Sequence, residues 1–247
     1  MFTFCVFFCI CSLHYQCLTG KTLVLSKQSF FSNVVLLLSL IFVQSCSEEE
    51  RTAPPPKKIV IFVPGGGFVN QPELCSLSNN AAGLPEMLAA DGWDFAQVCY
   101  ELAPENKYPV QHRYTKEQIK SLAVGYSKVA VIGSSAGANI ATLATLEIPG
   151  TVDYLIGFYG IYDIPSLPVD VQEAYSDLYT DDPYAASPTS YPLPNHPVKL
   201  FHAVDDSLIP FEQSVLYCDS CTTLYQTGGH SYPMIRSYDE IIALIDG

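Results

Sequence analysis

Residues Lys128 to Gly137 read KVAVIGSSAG. Val129 to Ile132 form an apolar run that fits a buried strand, and the run ends in Gly133-Ser134-Ser135-Ala136-Gly137. Asn139 to Leu143, NIATL, then reads as a helix. The stretch therefore predicts a strand, a sharp turn and a helix, with Ser135 of the G-x-S-x-G pattern at the apex. Glycines at 133 and 137 suit a place where strand and helix nearly touch, because a larger side chain would clash there. Such a turn lifts the Ser135 hydroxyl clear of the backbone and aims the next amide, that of Ala136, at the same space. The pattern alone fits either a nucleophile or a glycine- and serine-rich turn without chemistry, so the rest of the chain has to decide.

Working outward, Lys58 to Val63 is a β-branched, apolar run that reads as a buried strand and ends at Pro64-Gly65-Gly66-Gly67-Phe68. Three glycines after a strand let backbone approach a ligand closely, with amides free to point at it. Leu84 to Ala90 reads as a helix, 94–100 as a strand and 115–126 as a helix. Beyond the central turn, 152–159, 198–204 and 222–226 read as strands, 211–217 as a helix and 237–245 as a closing amphipathic helix. Residues 160–197, rich in Tyr, Pro, Asp and Ser, read as an insertion of loops and short helices above the sheet. Strands alternating with helices argue for a parallel sheet with helices on both faces.

Acyl-transfer chemistry needs a nucleophile, a base, an acid to orient the base, and donors for the oxyanion. Of the five histidines, His14 and His112 precede Ser135 and His196 sits in the insertion. His202 lies within a strand, where a packed, hydrogen-bonded histidine is the ordinary case. His230 follows the last strand in Thr227-Gly228-Gly229-His230, a loop able to swing the imidazole toward Ser135. The acid should follow the preceding strand, which leaves Asp205 or Asp206; adjacent side chains diverge, so only one can reach His230. The other would cap the next helix or face solvent. The oxyanion donors would be the amides of Gly66, Gly67 and Ala136.

With these pieces in order, the chain resembles the hormone-sensitive-lipase-like and carboxylesterase branch of the α/β-hydrolases over about residues 58–247. The matching segments are Pro64 to Phe68, Tyr100 to Glu105 (YELAPE), Gly133 to Gly137, the Asp206 segment DSLIP, and Gly229-His230. The resemblance implies a three-layer fold, here with a reduced six-strand, mainly parallel sheet, and ester hydrolysis by Ser135, Asp206 and His230 without metal or cofactor. Two departures stand out: the family carries His where this chain has Pro64, and usually Arg where it has Glu101. Tyr162-Asp163-Ile164 and Ala186-Ser187-Pro188 also resemble kynurenine-formamidase-like and feruloyl-esterase-like hydrolases, which keeps an arylformamidase-like amide substrate open. The reading from another class is a non-catalytic, hydrolase-like binding lipoprotein.

The 247 residues suit one domain or at most two. All 25 acidic residues lie after residue 46, with ten of the 12 basic ones, so that part carries a formal charge of −15. Such a body is a poor partner for nucleic acid or anionic lipid. Lys21 and Lys27 precede the apolar run Phe30 to Val43, which ends Val43-Gln44-Ser45-Cys46. Basic residues, a short apolar stretch and small residues describe a secretory signal, and the ending resembles a bacterial lipobox with Cys46 as the lipidated residue. Residues 1–46 are thus expected to be leader and signal, and 47–57, with Pro54-Pro55-Pro56, a semi-rigid linker. The domain from 58 would stand outside the cytoplasm, at the cell envelope, held to the membrane by lipid alone and acting on a small-molecule ester. Cys218 and Cys221 form a lone C-x-x-C that suits a disulfide or two buried thiols, and Cys75 and Cys99 are a possible second pair in an oxidising compartment. The tyrosines of the insertion (Tyr159, Tyr162, Tyr175, Tyr179, Tyr184, Tyr191) suit the packing of a lid or an aromatic pocket.

Overall fold

Each of the six apolar runs becomes a strand. The structure, a computed structural model, describes residues 56–70 and 77–247, with residues 174–178 described by backbone alone. The strands are β1 (Lys58–Val63), β2 (Trp93–Gln97), β3 (Lys128–Ser134), β4 (Tyr154–Phe158), β5 (Val198–Ala203) and β6 (Thr222–Tyr225). They form one sheet in the order β2-β1-β3-β4-β5-β6, with every neighbouring pair parallel. Among the described residues the sheet is therefore wholly parallel rather than mainly so.

Parallel strands need helical crossovers, and these cover both faces. The helices are α1 (Leu84–Ala90), α2 (Val110–Leu122), α3 (Ala136–Leu146), α4 (Val169–Leu178), α5 (Glu212–Cys218) and α6 (Tyr238–Asp246). Alternation along β1 sorts the two cores. Ile59, Ile61 and Val63 pack with Ile119 of α2 and Ile140, Ala141 and Ala144 of α3. Val60 and Phe62 pack with Leu84 and Leu88 of α1 and Ile241 and Ile245 of α6, and with Trp93.

Several element boundaries differ from the sequence reading, and the end of β2 and the start of α2 do so for visible reasons. The amide of Val98 still bonds Phe62 O at 2.8 Å, but the chain then leaves the sheet, so that the Tyr100 hydroxyl reaches Pro64 O at 2.9 Å. Helix α2 starts five residues before the expected Thr115 because its first turn hides polar residues on its inner face. Gln111 Nε2 donates to Phe68 O at 2.9 Å, and His112 Nε2 pairs with Glu147 at 2.8 Å. A periodicity search sees Gln111 and His112 as surface letters although both are buried.

The insertion after β4 holds two 3-10 turns, Ile164–Ser166 and Pro188–Ser190, besides α4. Two buried side chains tie it down. Asn139 on α3 donates to Ile161 O (3.0 Å) and Ala186 O (2.9 Å) and accepts from the Tyr179 hydroxyl (2.9 Å). Gln213 on α5 accepts the amides of Tyr162 and Asp163 at 2.9 and 2.7 Å and donates to Asp163 O and Ser166 Oγ. Cys218 and Cys221 form a disulfide between α5 and β6. Cys99 is disulfide-bonded too, but Cys75 lies outside the described residues.

Chain order sets where a site can form. After β1 the chain moves outward to β2, then returns past β1 to lay down β3 and proceeds the other way. The loops leaving β1 and β3 therefore part at the carboxyl ends of adjacent strands, the usual place for a ligand crevice in an open parallel sheet.

Candidate active site

Ser135 stands between β3 and α3 with φ +52° and ψ −126°, a conformation an L-residue adopts only under constraint. The constraint is close packing. A Cβ on Gly133 would lie 2.6 Å from Ala138 Cα, and one on Gly137 would lie 2.3 Å from the carbonyl oxygens of both Val63 and Pro64. The elbow thus sits on its own helix on one side and on the end of β1 on the other. The Ser135 amide donates to Phe158 O at 2.9 Å, fixing the turn to β4 as well.

Three loop side chains meet at this apex. With its proton on Nδ1, His230 donates to Asp206 Oδ2 at 2.8 Å, and its Nε2 lies 3.0 Å from Ser135 Oγ, ready to accept the hydroxyl proton. Asp206 Oδ1 accepts the amides of Leu208 and Ile209, both at 2.9 Å. Oδ2 also faces His202 Nε2 at 3.2 Å. Burial alone would raise the Asp206 pKa; hydrogen bonds from His202, His230 and the Ile209 amide outweigh it and hold the carboxyl well below the usual carboxylate range. Asp205 turns the other way, and its Oδ1 accepts the Gly229 amide at 2.7 Å, pinning the loop that carries His230. Of the two carboxylates, Asp206 is the one hydrogen-bonded to His230.

The remaining sequence-expected groups converge on the same space. Gly66, Gly67, Ser135 and His230 line one cavity of about 440 Å³, which also includes Gly65, Asn70, Ser78, Asn80, Ser134, Tyr159, Leu208 and Ser231. Among the described residues no acceptor takes the amide protons of Gly66 and Gly67. Ala136 opens α3, where a first-turn amide has no partner within the helix. The glycine loop is braced without the family's histidine. The Tyr100 hydroxyl donates to Pro64 O, Ser134 Oγ accepts the Gly65 amide at 3.1 Å, and the Gly66 carbonyl accepts the amide of Asn70 at 2.9 Å. Phe68 at the loop's end stacks on Tyr179 of the insertion, with ring centroids 3.6 Å apart.

Other residues of interest lie elsewhere. His112 is paired with Glu147 at the far end of α3. His196 lines a second cavity of about 620 Å³ beside Asp153 and Pro197, near the starts of β4 and β5 and remote from Ser135. Among the described residues no cluster of three or more His, Cys, Asp or Glu side chains is placed to hold a metal ion. Of the insertion tyrosines, Tyr162 and Tyr179 are fully buried as packing, Tyr184 and Tyr191 are exposed, and Tyr175 has no described side chain. Tyr159 has a part in the site: its ring and the His230 ring meet edge to face with centroids 4.9 Å apart, and its hydroxyl pairs with Asn80 Nδ2. Cys46 lies outside the described residues.

A family model described as alpha/beta hydrolase fold matches residues 60–196. The chain belongs to the α/β-hydrolase fold family. That match takes in Gly66, Gly67, Ser135 and Ala136 and ends before Asp206 and His230, whose place in the site rests on the geometry above. Esterase LipC of Mycobacterium tuberculosis is 30% identical over 186 residues, 62% of this chain and 45% of that protein. The chain thus spans under half the length of this relative. Among solved structures, a Pyrobaculum calidifontis esterase superposes with a TM-score of 0.61 at 20% identity, over 78% of this chain and 76% of that one. A truncated carbohydrate esterase from gut microbiota gives 0.62 at 16% identity, over 80% and 87%.

Within this α/β-hydrolase, the residues that sequence reasoning missed are those without a pattern of their own. Asn80 and Ser78 come from a single 3-10 turn, Asn79–Ala81, and its N-cap. Tyr159 reads from the sequence as part of a lid or an aromatic pocket, with nothing to place it beside His230. The role of Tyr100 had a signal, since it opens the segment shared with the family, but the segment alone does not say that its hydroxyl reaches the glycine loop.

Proposed function

We propose that this chain is a serine hydrolase that cleaves carboxylic esters of small or medium acyl groups. The observation that carries the reading is the unbroken chain of hydrogen bonds from Asp206 through His230 to Ser135, beside a cavity that Ser135 and His230 line together with Gly66 and Gly67. Ser135 Oγ attacks the acyl carbon while His230 Nε2 takes its proton. The carbonyl oxygen, now negative, is received by the amides of Ala136, Gly66 and Gly67, and each such donor is worth about 3 kcal/mol to the transition state. Collapse of the tetrahedral intermediate breaks the ester C–O bond, and the His230 proton leaves with the alcohol. Water then attacks the acyl-enzyme, giving its proton to His230, and the acid departs as Ser135 regains a proton. Asp206, ionised throughout, keeps the proton of the resting imidazole on Nδ1 and balances the imidazolium. The similarity to proteins named as esterases supports the choice of ester over amide.

Labelling with a fluorophosphonate probe tests the reading. Wild-type protein should become labelled at Ser135 and lose its hydrolysis of short p-nitrophenyl esters in step with labelling, and Ser135→Ala should do neither. Near-full esterase activity in purified Ser135→Ala would overturn it.

We infer from the sequence that Cys46 is lipidated and that residues 1–45 are removed, leaving the domain tethered at the cell envelope. The support is the Val43-Gln44-Ser45-Cys46 ending after a short apolar run. Cys46→Ala should release the protein from membranes; a variant that stays membrane-bound at full length would refute the anchor.

A further inference from the structure

His202 does more than fill the end of β5. Its ring is fully buried, four residues before Asp206, and each nitrogen is engaged. Nε2 lies 3.0 Å from Ile209 O and 3.2 Å from Asp206 Oδ2, two acceptors, so that nitrogen carries the proton and shares it between them. Nδ1 lies 2.8 Å from Ser214 Oγ on α5, a hydroxyl able to donate to it. One neutral tautomer satisfies all three contacts. The Asp206 carboxylate then has four donors: the Leu208 and Ile209 amides on Oδ1, and the His230 and His202 imidazoles on Oδ2.

This arrangement has two mechanical consequences. The carboxylate cannot turn about its Cβ–Cγ bond without breaking bonds on both oxygens, and His202 is itself held from α5 and from the Ile209 carbonyl. The plane that orients His230 is therefore set by the sheet and a helix, not by the loop alone. The second consequence is electrostatic. A donor on Oδ2 draws charge toward itself on the oxygen that His230 uses, so the imidazolium formed in the reaction receives less stabilisation than from a singly bonded carboxylate. The other groups facing His230 are Ser135 on the elbow, the Tyr159 ring after β4, and Asp205, which reaches it only through the Gly229 amide. On its own loop, Tyr232 packs against Tyr159, and Arg236 lies over the Tyr225 and Tyr232 rings.

We propose that His202 is a positioning residue for the Asp206–His230 pair, fixing the carboxylate through its Nε2–H and moderating the charge that reaches the base. The proposal rests on the serine-hydrolase reading above, with Asp206 as the acid.

The test compares His202→Phe, which keeps bulk and removes the donor, with His202→Gln, whose amide nitrogen restores a donor near Nε2. His202→Phe should lose about 10-fold to about 100-fold in kcat with KM little changed, the scale on which a slightly misplaced catalytic group costs rate. The acidic limb of its kcat/KM–pH profile should move up by about half a unit, because Asp206 then gives more of its charge to the His230 imidazolium. His202→Gln should return kcat to within about threefold of wild type and restore the limb, since the amide donates to the same oxygen. If both variants are impaired alike with an unmoved limb, His202 is packing only and the proposal fails. Wild-type kinetics in His202→Phe would sink it as well. Should His202→Phe not fold, proton NMR of the ¹⁵N-histidine-labelled wild type decides. The His202 Nε2–H should be protected from exchange and its resonance should shift in Asp206→Asn; no protected proton, or no shift, overturns the proposal. Failure of Ser135 to react with the fluorophosphonate would instead remove the parent reading while leaving the NMR result standing.

Discussion

Replacing Asp206 with Asn keeps the shape of the side chain and changes what each of its two heads can do. Asp206 accepts four hydrogen bonds and donates none. Asn accepts at one head and donates at the other, so it has two ways to sit, and both are costly. With its oxygen on the Leu208 and Ile209 amides, its NH₂ faces His230 Nδ1 and His202 Nε2. His230 must then carry its proton on Nε2, pointing at Ser135 Oγ, and cannot take the serine's proton. With the amide reversed, His230 keeps its tautomer, but an NH₂ is driven against two backbone N–H groups that were 2.9 Å from an acceptor. Leaving the buried Ile209 donor unpaired costs about 1–3 kcal/mol and the half-buried Leu208 donor adds to it, so the first placement wins. The wrong tautomer lowers kcat by about 10⁴-fold in the best-studied serine triads, or about 5 kcal/mol of barrier, and the same loss is expected here. Asp205→Asn is the matched control. Asp205 accepts one bond, from the Gly229 amide at 2.7 Å, and an Asn oxygen can accept it equally, so a loss under about threefold is expected. Steady-state hydrolysis of p-nitrophenyl acetate by the two variants, with circular dichroism to confirm folding, measures the contrast. An inactive Asp205→Asn beside an active Asp206→Asn would refute the reasoning.

Two further predictions concern stability. Asn139→Leu leaves the Ile161 and Ala186 carbonyls and the Tyr179 hydroxyl buried without these partners, and should cost about 3 kcal/mol or more in urea unfolding; a loss below about 1 kcal/mol would mean that the insertion is not held through Asn139. Stability should also fall toward acid. Asp206, Glu147, Glu240 and Asp246 have pKa values lowered on folding, in each case because hydrogen bonds and nearby charges outweigh burial, so their contribution is present above the ordinary carboxylate range of about 4 and is lost below it. His112 is lowered by burial, against the opposing pull of Glu147, so the unfolded chain also takes up its proton first as pH drops below about 6.5. Both effects have the same sign, and the urea midpoint should decline from pH 7.5 to 5.5 and again to 3.5; a midpoint that holds or rises into acid would contradict it.

The sheet was legible because burial on both faces of a parallel strand leaves continuous apolar runs, such as Ile59 to Val63 and Val129 to Ile132. The turns that present Ser135 and His230 were legible because glycines flank both, Gly133 and Gly137 at one and Gly228 and Gly229 at the other. The choice between Asp205 and Asp206 turned on one bond direction, and the structure separates them by what each accepts. Harder to see were the start of α2 and the hold on the insertion. In both, buried polar side chains do the binding: Gln111, His112, Asn139 and Gln213. Their periodicity is invisible to a hydrophobic pattern, and the partners they satisfy are backbone groups that no sequence names.

The same point explains how the glycine loop tolerates Pro64. Proline has no amide to donate, so a brace built on that position must accept at its carbonyl, and the Tyr100 hydroxyl does so. Tyr100 can reach it because β2 pairs beside β1 and the chain leaves the sheet one residue past Val98's bond to Phe62. From the other end, Phe68 is clamped by the Tyr179 ring, and its carbonyl accepts from Gln111 Nε2 and the Ala103 amide. Tyr179 in turn is bonded to Asn139, on the helix that opens at Ala136. The loop bearing Gly66 and Gly67 and the helix bearing the third amide are thus tied through the insertion. A substitution that loosens the insertion should therefore reach catalysis through the spacing of those three amides, lowering kcat while leaving the Ser135–His230–Asp206 bonds in place.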